Sequence, residues 1–266
     1  MMFKRRSPSR KSADKGYPRG APGKRVYAIG DVHGRYDLLC DLLGKIEQHN
    51  AQRSRAKCNV IMLGDLIDRG SQSREVIELF LRRRPSFADF HFVKGNHEEA
   101  IVRGLSGESN LLSNWLHHGG YETAESYGID RSVLIGQPDF TLEHILYSAI
   151  PESHLRFMEK FFDSIRFGDY LFVHAGVRPG VPIQQQSDKD LRWIRHEFLN
   201  SGEDFGAMIV HGHTVTDTVD IKPNRIGLDT GAYSTGILSA LWIEESETGV
   251  LQAVGERDDS YELHKV

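Results

Sequence analysis

The sequence predicts an α/β domain built around a parallel sheet, and three observations predict it. From Val26 onward a short apolar, β-prone run, a turn rich in Gly, Asp, Asn or His, and a stretch with helical spacing recur in that order. This alternation marks βαβ units, whose crossovers lay helices on the faces of a parallel sheet. The composition, 39% hydrophobic and 26% charged, is that of an ordinary soluble domain. The length, 266 residues, suffices for one large core or at most two small ones.

The first 25 residues do not share the pattern. They carry nine Lys/Arg against Asp14 alone, so the arm is +8 and the remainder, from a total of −4, is −12. With three prolines and three glycines and little to bury, residues 1–24 are expected to be a disordered basic arm. A solvated tail is favoured over a nucleic-acid contact, although the charge leaves that open. The arm lacks the apolar stretch of a secretory signal, and no run approaches the roughly 18 apolar residues of a membrane span. Cys40 and Cys58 are the only cysteines, so no disulfide framework is expected and a cytoplasmic location fits.

Val26–Ile29 reads as the first strand, and Leu38, Leu39, Leu42, Leu43 and Ile46 follow at helical spacing. Val60–Leu63 is the second strand. A helix from about Ser73, its expected N-cap, turns Val76, Ile77, Phe80 and Leu81 inward and ends before Pro85. Phe90–Val93 is the third strand, again followed by a helix start. Residues 105–162 read as helices with polar loops: one with Leu142, Ile145, Leu146 and Ala149, another opened by Pro151 with Leu155, Met158 and Phe162. Ser164–Phe167 and Tyr170–Val173 flank Gly168-Asp169 as a two-residue hairpin. Ala207–Val210, Arg225–Leu228 and Gly236–Ile243 complete the strands. The domain is placed at residues 25–256, with 257–266 as a tail.

The position of the polar turns carries the chemistry. Five times a strand ends in a turn holding Asp, Asn or His, and ligands of α/β sheets gather at the carboxyl ends of strands. These loops would bring Asp31, His33, Asp65, Asn96, His174 and His213 to one point. Oxygen and imidazole donors without thiolate suit first-row divalent ions such as Mn, Fe or Zn. Six donors exceed the need of one tetrahedral ion and suit two ions sharing a carboxylate. A single Asp-x-His in a loop is ordinarily a turn or cap residue; five such loops, each following a strand, are not explained that way.

Gly-Asp-Val-His-Gly at 30–34, Gly-Asp-Leu-Ile-Asp-Arg-Gly at 64–70 and Gly-Asn-His-Glu at 95–98 resemble the signature of the phosphoprotein phosphatase family within the calcineurin-like metallophosphoesterases. His174-Ala-Gly and Gly212-His213-Thr resemble its later metal loops. The resemblance spans residues 26 to about 243 and implies a β-sandwich flanked by helices (αββα). It implies that Asp31 and His33 bind a first metal, that Asp65 bridges, and that Asn96, His174 and His213 complete a second. It makes His97 the general acid, with Asp68 holding its imidazole, and gives the phosphate to Arg69 and Asn96. A second phosphate-gripping arginine is expected, and Arg195 in Leu-Arg-Trp-Ile-Arg-His-Glu-Phe is chosen over Arg192. The ions, Mn first and Fe or Zn next, would sit about 3.5–4 Å apart and activate a bridging water for in-line attack.

His117 and His118 are read as structural and His211 is left out of the ligand set, while Tyr233, after Asp229-Thr-Gly, is within reach of the site rim but is read first as packing. The other histidines show no partner pattern. The segment from Trp115 to Gly128 resembles bacterial branches of the family, which include Ser/Thr, dual-specificity and tyrosine phosphatases and diadenosine tetraphosphate hydrolases. A serine/threonine protein phosphatase with a phosphoprotein substrate is the preferred reading, because Glu108, Glu122 and Glu125 stand between Leu105 and Tyr127 without a Lys or Arg. That acidic wall would repel a polyphosphate. The alternatives are a dinucleoside polyphosphate hydrolase and, from another class, a non-catalytic phosphate- or nucleic-acid-binding protein. The last is disfavoured because a scaffold has no use for the Asp68–His97 pair.

Overall fold

A computed structural model of the chain describes residues 17–257. The first half reads β1 (Lys24–Ile29), α1 (Tyr36–Ala51), β2 (Lys57–Met62), α2 (Ser73–Arg82), β3 (Asp89–Phe92) and α3 (Asn96–Leu105). A helical stretch follows: α4 (Leu111–Trp115), a π turn over Leu116–Gly120, α5 (Tyr121–Ser126), α6 (Asp139–Ala149) and α7 (Glu152–Glu159). The chain closes with β4 (Ser164–Phe167), β5 (Tyr170–Val173), α8 (Asp188–Trp193), α9 (His196–Leu199), β6 (Met208–His211), β7 (Asp220–Ile221), β8 (Arg225–Gly227), α10 (Ala232–Thr235), β9 (Ile237–Glu244) and β10 (Glu247–Val254).

The strands form two five-stranded sheets, in the orders β10-β9-β1-β2-β3 and β4-β5-β6-β8-β7. In each, three neighbouring strands are parallel and the flanking ones antiparallel. The central strands are apolar without interruption because both their faces are covered. In β1, Tyr27 and Ile29 face the helices while Val26 and Ala28 face the other sheet. Val60 and Met62 against Ile61 repeat this in β2. In the second sheet Phe172 and Val210 point inward, and Leu171, Val173 and Ile209 meet Leu191, Ile194 and Phe198 outside. The result is the αββα sandwich. Each fully buried aliphatic side chain contributes about 1.5–3 kcal/mol relative to exposure, so the inter-sheet layer holds the two sheets, and with them the two sets of strand ends, face to face.

Several local expectations are corrected. Ser73 is the first helical residue of α2 rather than its cap, which is Gln72; its hydroxyl instead accepts the Asp68 amide at 3.0 Å. Leu81 is 38% exposed and Leu79 takes the inward place. Pro151 sits at the N-cap of α7, not in its first turn. Phe162, 58% exposed, lies past the helix, where its backbone pairs with Val93, and Phe161 is buried instead. Strands β7 and β10 were not expected; both are edge strands with mostly exposed side chains, so they carry little periodic signal.

The arm boundary also moves. Lys24 already belongs to β1, the Gly20 amide donates to the Glu245 carbonyl at 2.7 Å, and the Arg19 carbonyl accepts the Asp169 amide at 2.8 Å. Residues 18–24 therefore dock across the hairpin turns of both sheets. Residues 1–16 of the arm, and 258–266 of the tail, lie outside the described residues. No helix among the described residues is long and apolar enough to cross a membrane.

Candidate metal centre

The loops that follow β1, β2, β3, β5 and β6 converge, and Asp65 stands at their centre. Its Oδ2 lies 3.6 Å from His33 Nε2, 3.8 Å from His97 Nε2 and 3.4 Å from His174 Nε2. His174 Nε2 is also 2.8 Å from Asn96 Oδ1. The ring of His213 meets that of His174 edge-on at 5.0 Å. The Asp31 carboxylate accepts the His213 amide at 3.0 and 3.1 Å. All six expected donors are buried.

Among the described residues two groups able to hold an ion emerge, His33–Asp65–His97 and Asp65–His174–His213. They share Asp65, the residue expected to bridge. The first group contains His97; Asp31, whose carboxylate accepts the His213 amide, is in neither group. A sixth strand-end loop, after β8, adds Asp229. It is buried, and its Oδ2 has no hydrogen-bond partner among the described residues.

The electrostatics of the cluster ask for cations. Burial, then the charges of Asp229 and Asp65, push Asp31 well above the usual carboxylate range. Burial likewise raises Asp229. Burial would raise Asp65 too, but the imidazoles of His174, His97 and His33 outweigh it and hold it well below. His174 is pushed up to about 10 by Asp65 and Asp31 against its burial. Burial, His174 and Arg195 drive His213 down to about 2, and its Nε2, buried and without a hydrogen-bond partner among the described residues, is placed to give a lone pair to a metal ion. Three enclosed carboxyl groups that repel one another, beside imidazoles whose charge is either forced on by Asp65 or forced off by burial, fit a pair of divalent ions that would relieve both.

The backbone is bent to build this. His33, Asp65, Asp68, Arg69 and His213 all adopt positive φ, between 45° and 73°. Such conformations cost of order 1–3 kcal/mol each and persist where the surroundings over-determine them. Glycines make room for the turns: a Cβ on Gly64 (φ +98°) would stand 2.6 Å from the Gly95 nitrogen, and one on Gly212 1.9 Å from Asp31 Oδ1. Glu98, fully buried, ties the loops together by accepting the amides of Asp65 (3.0 Å), Leu66 (2.7 Å) and Gly95 (3.0 Å).

Beside the cluster, His97 Nδ1 is 2.6 Å from Asp68 Oδ2. Arg69 lays its guanidinium 4.7 Å over the Tyr233 ring, with Nη1 2.9 Å from His33 Nε2 and Nη2 3.2 Å from His97 Nε2. Tyr233 thus lines the site, its ring 5.3 Å from that of His33, instead of packing away from it. Arg195 is at the rim, its Nη1 3.1 Å from the His213 carbonyl. Arg192, by contrast, is buried and bound to Glu99 at 2.7 Å and to Asp163, which leaves Arg195 as the rim arginine. His211 is buried outside the cluster and packs on Phe198.

The expected acidic wall is largely paired with cations. Glu108 pairs with Arg103 at 2.6 Å, and Glu122 and Glu125 both pair with Arg131, at 2.6 and 3.2 Å. Arg103 precedes the segment from Leu105 to Tyr127 and Arg131 follows it, and the fold brings both back over it.

Five residues of the site were missed or misplaced in sequence: Glu98, Asp229, Tyr233, Trp115 and Thr123. Glu98 stands three residues after Gly95, the spacing of a capping box, and Asp229 obeys the strand-then-Asp rule that found the others. Trp115 and Thr123 carry no local signal at all.

The family model described as calcineurin-like phosphoesterase matches residues 24–234. A bis(5'-nucleosyl)-tetraphosphatase of Bacillus velezensis is 26% identical over 83% of this chain and 89% of its own. The serine/threonine-protein phosphatase 2 of Escherichia coli is 26% identical over 81% of this chain and 91% of its own. Among solved structures, one provisionally named a diadenosine tetraphosphatase superposes with a TM-score of 0.61 at 20% identity, covering 90% of this chain and 100% of that one. A cold-active protein-tyrosine phosphatase of a Shewanella species superposes at 0.54 and 18% identity, covering 89% and 82%.

Proposed function

The chain belongs to the calcineurin-like phosphoesterase family, and from that premise we propose that this metal-dependent phosphoesterase removes phosphoryl groups from serine and threonine side chains of proteins. The observation that carries the reading is the His97–Asp68 pair, held at 2.6 Å with His97 Nε2 turned to the Asp65 cluster. An alkoxide is a poor leaving group and must be protonated as it departs; the phosphate expelled from a phosphoanhydride is a weak base and needs little help. A buried, oriented acid has most value against the former, where it typically contributes about 10²–10⁴-fold.

Asp31, His33, Asp65, Asn96, His174 and His213 would hold two divalent ions, with manganese the proposed occupant. Bound there, such a pair supplies an activated water and neutralises phosphoryl charge. The chain's own residues do the rest. Arg69, Asn96 and Arg195 bind the phosphoryl oxygens, Asp68 accepts from His97 Nδ1 and stabilises the imidazolium, and that imidazolium gives its Nε2 proton to the departing oxygen and is left as neutral His97. A phosphoprotein partner and a cytoplasmic location belong to this proposal.

A second reading, a dinucleoside polyphosphate hydrolase, is favoured by the pairing of Glu108, Glu122 and Glu125 with Arg103 and Arg131, which leaves the wall less acidic than the sequence implies, and by relatives of that name. The test is kcat/KM with Mn²⁺ for phosphoserine, phosphothreonine and phosphotyrosine peptides beside diadenosine tetraphosphate. Higher values for the phosphoserine and phosphothreonine peptides are expected. A clear preference for the dinucleotide would promote the second reading.

A further inference from the structure

Asp68 has no exposed surface, and its carboxylate serves three donors. Oδ2 accepts from His97 Nδ1 at 2.6 Å and from the Trp115 indole Nε1 at 2.7 Å. Oδ1 accepts from Thr123 Oγ1 at 2.6 Å, and the same hydroxyl accepts the Asp68 amide at 2.9 Å. Thr123 therefore grips both the side chain and the backbone of a residue held at φ +73°. Trp115 is itself locked, because Gly120 packs so closely that a Cβ there would come within 2.5 Å of the indole. Both residues are buried, and they come from α4 and α5, about 50 residues along the chain from Asp68.

A carboxylate with a single partner can rotate about its last torsion and take the imidazole with it. One whose two oxygens are separately pinned cannot. We infer that Trp115 and Thr123 are positioning residues for proton delivery: by fixing the Asp68 carboxylate plane they hold the His97 ring with Nε2 directed at the departing oxygen. There the N–H bond breaks, the O–H bond forms, and the electron pair of the cleaved P–O bond stays on oxygen. The helical segment that walls the site thus also sets the acid. This rests on the reading of His97 as the general acid.

The test compares Thr123→Val, Thr123→Ser and Trp115→Phe with His97→Asn, each with Mn²⁺. A phosphoserine peptide is set against p-nitrophenyl phosphate, whose leaving group needs little protonation. Thr123→Val and Trp115→Phe should lose roughly tenfold or more in kcat/KM on the peptide, a part of the about 10²–10⁴-fold at stake. On the aryl ester the loss should stay within about threefold, and Thr123→Ser, which keeps the hydroxyl, should restore the peptide rate. A merely structural role predicts equal losses on both substrates, and that result overturns the inference. A leaving-group effect in His97→Asn but none in Thr123→Val overturns it alone; no such effect in His97→Asn overturns the general-acid reading with it. Should Trp115→Phe lower the melting temperature too far for assay, the Thr123 pair decides.

Discussion

Asp65 and Glu98 show how much of the site hangs on single carboxylates. Asp65 is the one donor common to both potential ion-holding groups among the described residues. Asp65→Asn is expected to lose bound metal, read by elemental analysis, together with turnover. The loss should exceed the roughly 10–100-fold typical when only a ligand's hydrogen-bond partner is removed; full activity of the wild-type protein in chelator would sink the two-metal reading outright. Glu98→Gln tests the scaffold beneath. A glutamine amide would turn an N–H donor toward backbone N–H groups now accepted by Oε1 and Oε2. Leaving buried donors unmet costs about 1–3 kcal/mol, so a melting temperature lower by several degrees is expected, and an unchanged one would show that the loops hold themselves. Asp65 was legible because it ends a strand inside a dense motif. Trp115 and Thr123 were not, since their partner is fixed only once three layers have packed.

At the scale of elements, the strands were legible wherever both their faces are covered. Val26–Ile29, Val60–Leu63 and Tyr170–Val173 are unbroken apolar runs for that reason, whereas β10 buries only Ala253 fully and reads as loop. Helix faces were legible to within two residues: the buried stripe of α1 is the expected one, Leu81 yields to Leu79 and Phe162 to Phe161. Loops were legible by their glycines, and Gly64→Ala probes one of them. Its Cβ would press on the Gly95 backbone and stand 2.9 Å from His174 Nδ1, in a φ that alanine resists. Loss of metal with retained far-UV signal is expected; normal metal content would mean the loop yields more than its contacts suggest. The arm separates into two parts by the same reasoning. Removing residues 1–16 should leave turnover on a small aryl phosphate unchanged. Removing residues 1–24 deletes the start of β1 and the Gly20–Glu245 bond, and should lower the melting temperature measurably; equal stability of the two truncations would show that residues 18–24 contribute nothing.

Across the whole molecule, the far end of the first sheet is closed by charge. Arg25, nearly fully buried, meets Glu244 through Nε at 3.0 Å and Nη2 at 2.8 Å, and Arg53 joins the same carboxylate at 2.9 Å. Arg25 also reaches Asn50 Oδ1 at 2.6 Å and the Ser54 carbonyl at 2.8 Å. One cluster thereby joins β1, β9 and the end of α1. Its hydrogen bond to Arg25, against some burial, holds the Glu244 carboxyl below its ordinary value of 4.5. A group with a lowered pKa binds its proton more weakly in the folded state, so its contribution is present above the unfolded value of about 4.3 and fades as pH falls through the lowered one. Glu244→Gln would leave the buried Arg25 charge with neutral partners only. Some of the roughly 3–5 kcal/mol cost of breaking a buried pair should appear at pH 7. The stability gap between wild type and Glu244→Gln, from urea unfolding, should then narrow from pH 5 downward and close once Glu244 is protonated in the folded protein. The other titrating groups are common to both proteins and cancel in the difference. A gap that stays constant from pH 7 to the acid limit would mean that packing, not the ion pair, holds the three elements together.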